Sequence, residues 1–136
     1  MNKKNMTKDN GKRRNRERKK GATYFITCNI NRFQSELSDN VIKMMLIQVL
    51  SEAKLKFNFE MIDYEILDDH FDIIIKPDEN EDEYYLSKIM KWILGVFASR
   101  YNKYTGQKGS LWHDKYKSEI IESGVEIINP NFDNCA

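Results

Sequence analysis

The chain has 136 residues, 40% hydrophobic and 12% aromatic, which is enough for one folded domain with a packed core. No apolar run approaches the roughly 18 residues that span a bilayer. The basic N-terminal residues are followed by a strand pattern and not by an apolar signal segment, so secretion is not expected. Two cysteines, Cys28 and Cys135, form neither a disulfide framework nor a metal-ligand spacing, which favours a cytoplasmic location.

The net charge of +1 conceals a strong asymmetry. Residues 1–20 hold ten Lys or Arg side chains, including Arg13, Arg14 and Arg16, against two acidic ones, a net charge of +8. The other 116 residues hold 12 basic and 19 acidic side chains, a net charge of −7. Residues 1–21 are therefore predicted to form a disordered basic arm. This arm either neutralises nucleic-acid phosphates or serves only as a solubilising tail.

The first half of the chain predicts a strand, a helix and a second strand. Residues 22–30 are rich in β-branched and aromatic side chains and predict the first strand. Ser38 or Asp39 is expected to cap a helix. The apolar residues of this helix recur at helical spacing: Val41, Ile42, Met45, Leu46, Val49, Leu50 and Ala53. Residues 59–67 alternate, with Ile62, Tyr64 and Ile66 on the apolar side, and predict a half-buried second strand.

The stretch from residue 69 to residue 77 predicts a third strand, joined to the second by a tight hairpin. Its apolar face carries Phe71, Ile73 and Ile75, and its other face carries His70 and Asp72 with Ile74. Two residues apart on a strand means about 7 Å along one face, so the imidazole and the carboxylate can converge on one cation. The alternative is a strand end whose polar side chains simply meet water.

The second half predicts a second helix and a fourth strand. An acidic loop over residues 78–83 leads into a helix that ends near Tyr104, with one apolar stripe formed by Leu86, Ile89, Met90, Ile93, Phe97 and Tyr101. Residues 111–121 predict the fourth strand. The order strand–helix–strand–strand–helix–strand favours a ferredoxin-like α+β sandwich, an antiparallel sheet with two helices on one face. His70 and Asp72 are then expected on the opposite, open face.

Three stretches of the sequence carry a resemblance to a known family: YFITCNIN (24–31), LDDHFDIIIKP (67–77) and LSKIMKWILGVFASRYNKYTGQKGSLWHDKYKSEIIES (86–123). They resemble HUH-type single-strand DNA transposases, and most nearly the REP-associated tyrosine transposases. The resemblance implies a transposase domain over residues 22–123, single-stranded or hairpin DNA as the partner, and a homodimer. In this family a metal ion and a tyrosine cleave and rejoin DNA through a phosphotyrosine intermediate.

The resemblance also implies a metal site. His70 matches the first of two family histidines that bind a divalent ion, and Asp72 stands where the second is usually found. Carboxylate oxygen suits Mg²⁺ and Mn²⁺, so either ion is expected. His113 is a further candidate for a metal or phosphate ligand, or an ordinary polar strand residue.

The nucleophile expected from the resemblance is missing. Family members carry it in a C-terminal helix, often in a Tyr-Ile-x-x-Asn-Pro run, and residues 125–130 (VEIINP) resemble that run with Val125 at the tyrosine's place. No tyrosine follows Tyr116, which is a weak candidate. Residues 124–136 are interpreted as an irregular, shortened remnant of the tyrosine helix, and catalysis is expected to be impaired.

Residues 100–117 carry five basic side chains against Asp114 alone, interleaved with aromatic residues. Either this is a solvated helix end and strand edge, or it binds phosphates and unstacked bases. The DNA contacts predicted here are Arg100, Lys103, Lys108, Trp112, Lys115 and Lys117, together with Arg13, Arg14 and Arg16 in the arm. Trp92 and Gly95 lie off the apolar stripe and serve either a dimer contact or ordinary packing.

Two function classes remain open. One is a transposase that nicks and rejoins single-stranded DNA, and the other is a non-catalytic DNA-binding remnant or domesticated regulator with the same fold. A third class, an RNA-binding ferredoxin-like module, is less favoured because the sheet lacks the aromatic signature of that class.

Overall fold

The computed structural model describes residues 18–30 and 36–121. Its strands are β1 (Thr23–Asn29), β2 (Phe59–Ile66), β3 (His70–Pro77) and β4 (Lys117–Ile121). Its α-helices are α1 (Asn40–Lys56) and α2 (Tyr85–Thr105), and a 3-10 helix spans Glu36–Ser38. Within the described residues, none of the helices has the length and apolar character needed to cross a membrane.

The four strands form one sheet in the order β2-β3-β1-β4, with every neighbouring pair antiparallel. One face of this sheet packs against both helices, because Phe71, Ile73 and Ile75 are fully buried in one cluster with the apolar residues of α1 and α2. Tyr24 and Ile26 lie beside Ile75 and Ile73 in the register of β1 with β3, and join the same cluster. The predicted ferredoxin-like α+β sandwich is confirmed, as is the β2–β3 hairpin.

The two helices end as their sequences dictate. Asp39 caps α1, accepting hydrogen bonds from the backbone N–H groups of Val41 (2.8 Å) and Ile42 (3.2 Å). The α2 helix ends at Gly106, whose φ of 77° is readily adopted by glycine and whose N–H donates to the carbonyl of Asn102.

The apolar stripe of α2 is confirmed, and that of α1 needs one correction. All six residues predicted for the α2 stripe are at most 5% exposed. On α1, Ile42, Leu46 and Val49 are buried, but Val41 is 51% exposed. Val41 lies on the margin of the buried arc, 100° around the helix from Ile42, so it reaches solvent.

The predicted alternation of β2 is wrong at its centre. A register shift lies between Met61 and Asp63, so that Met61 is paired with Ile75 and packs against the core. Ile62 is 39% exposed and Tyr64 is 41% exposed. A β-bulge adds one residue to the strand, and the side chains before the bulge exchange faces relative to a simple alternation.

β2 is an edge strand of the sheet, and its charged side chains all have the same sign. They are Glu60, Asp63 and Glu65, with no lysine or arginine among the eight residues of the strand.

The fourth strand is shorter than predicted. It begins at Lys117, and residues 111–116 instead cross the end of β1. Trp112 makes an isolated bridge with Ile30, and the N–H of His113 donates to the carbonyl of Asn29 over 2.8 Å. The backbone hydrogen bonds of this segment therefore go to the end of β1, and the chain joins the regular ladder only at residue 117.

Candidate metal and DNA site

His70 and Asp72 lie on the sheet face opposite to the helices, as the strand pattern predicts. Across the ladder from them are Asn29 and Thr27 of β1. The side chain of His70 is 28% exposed, whereas that of Asp72 is only 1% exposed. The expectation of an open face is therefore wrong at Asp72, and also at Ile74, which is 2% exposed. β3 has a strand on each side, and its five consecutive residues 71–75 are all buried.

Four side chains form a chain of polar contacts across β1 and β3, which we call the His70 cluster: Thr27, Asp69, His70 and Asp72. Asp69 Oδ1 lies 2.8 Å from His70 Nδ1. His70 Nε2 lies 3.9 Å from Asp72 Oδ2. On the far side, the Thr27 hydroxyl donates to Asp72 Oδ1 over 2.8 Å. Asp69 therefore orients the imidazole of His70, and Thr27 orients the carboxylate of Asp72. The two oriented groups face each other across a gap of 3.9 Å.

The hydrogen bond between His70 Nδ1 and Asp69 determines which form of the imidazole nitrogen Nε2 faces Asp72. A carboxylate only accepts hydrogen bonds, so Nδ1 carries the proton in this contact. In a neutral ring, Nε2 then presents a lone pair towards Asp72 Oδ2. A proton, a metal cation or a water molecule that donates to both atoms can bridge two acceptors at this distance. A carboxylate bonded to Nδ1 is also the usual support of a metal-binding histidine.

The position of Asp69 is fixed by the backbone around it. Its carbonyl accepts a hydrogen bond from Ile30 N–H over 3.0 Å, and the carbonyl of Asp68 accepts one from Leu37 N–H over 2.9 Å. The hairpin closes with Leu67 N–H donating to the carbonyl of His70 over 2.8 Å. Because the connection between β2 and β3 is pinned in this way, Asp69 is held beside the imidazole.

The donor set of the cluster fits a hard or borderline divalent cation. Ligands about 2.1 Å from an octahedral ion, at right angles, lie about 3 Å apart. The separation of 3.9 Å between Nε2 and Oδ2 is within about 1 Å of that value. No group of three His, Cys, Asp or Glu side chains among residues 18–30 and 36–121 is arranged to hold a metal ion. Two protein ligands, with water or phosphate oxygens completing the shell, is the arrangement that suits Mg²⁺.

Glu65 adds negative charge to the same face. It is paired with Asp72 in the register of β2 with β3. Its Oε1 is buried with no hydrogen-bond partner among the described residues. Like charges directly opposite each other in a sheet are destabilising, so a cation at the His70 cluster would relieve this repulsion.

The structure divides the predicted DNA contacts of residues 100–117 into two groups. Lys103, Lys108, Lys115 and Lys117 are exposed. Lys117 is paired with Thr27 across the β1–β4 ladder, which places it on the face of the His70 cluster, with β1 between it and Asp72.

Trp112 and Arg100 make internal contacts instead. The ring of Trp112 packs against Phe71 (5.7 Å between centroids) and Phe97 (5.8 Å), and its indole N–H donates to the carbonyl of Leu94. Arg100 forms two hydrogen bonds with Glu52, of 3.0 Å and 2.8 Å. Packing explains Trp112, and an ion pair offsets the charge of Arg100.

The remaining predicted residues are placed as follows. Tyr116 is 9% exposed and belongs to the core cluster, on the helix side of the sheet and away from His70. His113 is exposed beyond the end of β1. The arm residues Arg13, Arg14 and Arg16, together with Val125, lie outside the described residues.

Thr27, Asp69 and Glu65 are the residues of this site that sequence patterns did not identify. In the sequence, Asp69 stands at the start of the predicted third strand, and nothing there marks it as a partner of the imidazole. Thr27 is 45 positions from Asp72, and nothing in the local sequence connects the two.

The ion pair between Glu52 and Arg100 leads to a pH prediction. The hydrogen bonds of Arg100 lower the pKa of Glu52 below its ordinary value of 4.5, against the opposing effect of desolvation, and they raise the pKa of Arg100. A carboxyl whose pKa is lowered by folding stabilises the protein above its unfolded pKa, and this contribution is lost as the pH falls through the folded pKa. We expect Glu52→Gln to lower the stability near pH 7 and to have no effect near pH 2, as measured by urea denaturation at both pH values.

The matched control is Glu119→Gln, at an exposed carboxylate on β4. It should change stability little at either pH. A stability loss in Glu52→Gln that persists unchanged at low pH would mean that the charge of Glu52 is not what stabilises the fold.

The fold and the His–carboxylate pair together define a ferredoxin-like α+β domain with a candidate divalent-metal site on its sheet. Residues 19–129 match the family of IS200-like transposases. The match spans most of the chain, and the protein belongs to this family.

Two solved structures share the fold. One is a REP-associated tyrosine transposase bound to a REP hairpin, 22% identical, with a TM-score of 0.64 over 88% of this chain and 65% of that one. The other is a transposase-like protein from Deinococcus radiodurans R1, 14% identical, with a TM-score of 0.55 over 83% and 86% of the two chains. The chain thus spans just under two thirds of the REP-associated transposase. Comparison with curated protein sequences gave no significant match.

Proposed function

We propose that this protein is a transposase-family protein that binds single-stranded or hairpin DNA, with Mg²⁺ or Mn²⁺ held by His70 and Asp72. We further propose that strand cleavage through a tyrosine is impaired in this chain. The observation that carries the proposal is the His70 cluster, in which Nε2 and Oδ2 face each other over 3.9 Å on the helix-free side of the sheet.

The side chains of the cluster have distinct roles in this proposal. A divalent ion held there supplies a Lewis acid that polarises a phosphoryl oxygen. Asp69 keeps the proton on His70 Nδ1, so that Nε2 remains a donor to the ion. Thr27 orients Asp72 by binding one carboxylate oxygen and leaving the other directed to His70.

Charge on the sheet and beside it supports DNA as the partner. Lys117 lies on the same face as the cluster and is suited to a phosphate next to the bound ion. Lys108 and Lys115 are exposed in the segment that joins α2 to β4, and Arg13, Arg14 and Arg16 add positive charge near the start of the sequence. The REP-associated transposase of the same fold is bound to a REP hairpin, which supports hairpin DNA as the form recognised. Homodimerisation, implied by the resemblance, remains a proposal that sedimentation velocity would test.

The burial of Tyr116 supports impaired cleavage. A nucleophile must reach the phosphate that the metal polarises, and Tyr116 packs in the core on the other side of the sheet. Val125 stands where the resemblance expects the tyrosine. The second candidate function, a non-catalytic DNA-binding protein or regulator, is favoured by the same two residues.

We expect the 136-residue chain to bind hairpin DNA without forming a covalent adduct. The measurement incubates the protein with labelled hairpin DNA and Mn²⁺, then compares a native gel with a denaturing gel. A shifted band should appear in the native gel only. His70→Ala should weaken metal-dependent binding, and a sample with EDTA is the control.

A covalent product in the denaturing gel would contradict impaired cleavage, and peptide mapping would then identify the nucleophile. Failure to bind hairpin or single-stranded DNA under any of these conditions would contradict the DNA proposal itself.

A further inference from the structure

The outer surface of α2 carries lysines near both ends and no acidic side chain. The helix has four basic side chains and no acidic one, although residues 21–136 as a whole are strongly acidic. Its exposed positions before Tyr104 follow one another at intervals of three or four residues, which places them in one line on the helix. We call this line the α2 ridge; it consists of Lys88, Lys91, Gly95, Ser99 and Lys103. At a rise of 1.5 Å per residue, the ridge is about 22 Å long.

An apolar groove borders the ridge on the side of α1. Its volume is about 460 Å³, and it is lined by Phe57, Lys88, Lys91, Trp92, Gly95 and Val96. The rings of Phe57 and Trp92 are both half-buried and meet edge to face, with 6.1 Å between centroids. Lys56 Nζ lies 5.6 Å from the first ring centroid and 5.9 Å from the second.

The groove is open at Gly95. A Cβ atom added there would meet no atom within 4 Å, and the helix continues undisturbed through this position. A ligand can therefore approach the helix backbone closely between Lys91 and Ser99. The ridge therefore combines small residues at its centre, which leave space for a ligand, with positive charge at both of its ends.

The lysines around the groove indicate which kind of partner binds there. A second copy of the chain, in a symmetric contact centred on the groove, would bring Lys56, Lys88 and Lys91 of both copies together. No acidic side chain of α2 is present to offset them. An anionic polymer avoids this repulsion, because its phosphates pair with the lysines. The aromatic groove adds a place for a flat apolar group, which an unpaired base provides and a duplex does not.

We propose that the α2 ridge and the Phe57–Trp92 groove form a second nucleic-acid-binding surface for an unpaired strand. Phosphates bind Lys88, Lys91 and Lys103, and a base lies against Trp92. The surface is separate from the His70 cluster, since the helices cover one face of the sheet and the cluster occupies the other. It requires no metal and no cleavage.

Binding of a labelled oligothymidine of about 20 nucleotides in EDTA tests the charges of the ridge. Each phosphate contact to a single strand contributes about 0.7 to the slope of log K against log salt. The double variant Lys88→Ala/Lys91→Ala should therefore reduce this slope by about 1.4. The matched control, Lys43→Ala/Lys54→Ala on α1, removes the same charge elsewhere and should leave the slope unchanged. Equal reductions in the two double variants would overturn the proposal.

Gly95 offers a second test that leaves the core intact. Gly95→Glu and Gly95→Lys place opposite charges in the open space of the groove, and Gly95→Gln controls for size. We expect about fivefold weaker binding for Glu and about fivefold stronger binding for Lys, relative to Gln. Indistinguishable affinities of the three variants would exclude the groove from the binding path.

The aromatic contact is tested by Trp92→Leu against Trp92→Phe. The Phe variant keeps a π face and should bind more tightly than the Leu variant. The loss should be confined to the single strand, because a duplex of the same length offers no free base. An equal loss for the duplex would refute recognition of an unpaired strand. Altered sedimentation without altered DNA binding would instead make this groove a contact between copies of the chain, and would also refute the proposal.

Discussion

We expect the replacement of Ile73 by alanine to lower the free energy of unfolding by about 2–5 kcal/mol. Ile73 is 0% exposed and lies at the centre of β3, with Ile26 beside it on β1 and Tyr64 beside it on β2. Removing three carbon atoms from this position loses buried apolar area and leaves a cavity, which strands on both sides cannot close. Urea denaturation at equilibrium measures the change, and an unchanged slope against urea shows that the unfolded state is not altered.

Ile62→Ala is the matched control for this experiment. Ile62 is also an isoleucine in a strand of the same sheet, but it lies at the β2 bulge and is 39% exposed. The same substitution there should cost less than about 1 kcal/mol. If the two variants lose equal stability, Ile73 does not face the helices, and His70 and Asp72 are on the wrong side of the sheet for the proposed site.

We expect His70→Ala to reduce Mn²⁺ affinity by at least about 100-fold, the largest effect on binding in this protein. The imidazole is one of two protein ligands in the proposed site, so its loss leaves a single carboxylate. Asp69→Asn should reduce the affinity by a smaller factor, about 10–100-fold, because Asp69 only orients the imidazole. Titration calorimetry with Mn²⁺ gives these affinities directly.

The chain contains two histidines, and the second provides the control. His113 is exposed beyond the end of β1, so His113→Ala should leave Mn²⁺ affinity unchanged. Unfolding measurements on all three variants separate loss of the site from loss of the fold. Equal affinity losses at His70 and His113 would show that Mn²⁺ binds histidines on the surface and not the His70 cluster.

The parts of the fold that follow from local periodicity were predictable from the sequence. Phe71, Ile73 and Ile75 alternate with polar residues, and their burial beneath the helices follows from the two-residue repeat of a strand. The α2 stripe follows from helical spacing in the same way. The β2 bulge was not predictable, because a single inserted residue between Met61 and Asp63 leaves no mark in a short alternating run.

The candidate site was predictable only in part, for a related reason. His70 and Asp72 share a strand face, so their spacing alone brings them together. The residues that orient them come from elsewhere: Thr27 from β1, and Asp69 through a loop pinned by Ile30 and Leu37. Likewise, the sequence predicts Arg100 as a DNA contact, and only the packing of α2 on α1 brings it to Glu52. Contacts between distant segments depend on the assembled fold, which periodicity does not encode.

The single sign of charge on β2 gives the molecule a preferred direction of approach. Glu60, Asp63 and Glu65 stand along one rim of the sheet, whereas the opposite rim begins with Lys117. A polyanion approaching the His70 cluster is repelled at the first rim, whereas at the second rim the charges of Lys117 and Glu119 balance. Encounters of the proposed DNA partner with the cluster should therefore come across β4 more often than across β2. The acidic rim would thus bias the approach of DNA by electrostatic repulsion, before any contact with a base is made.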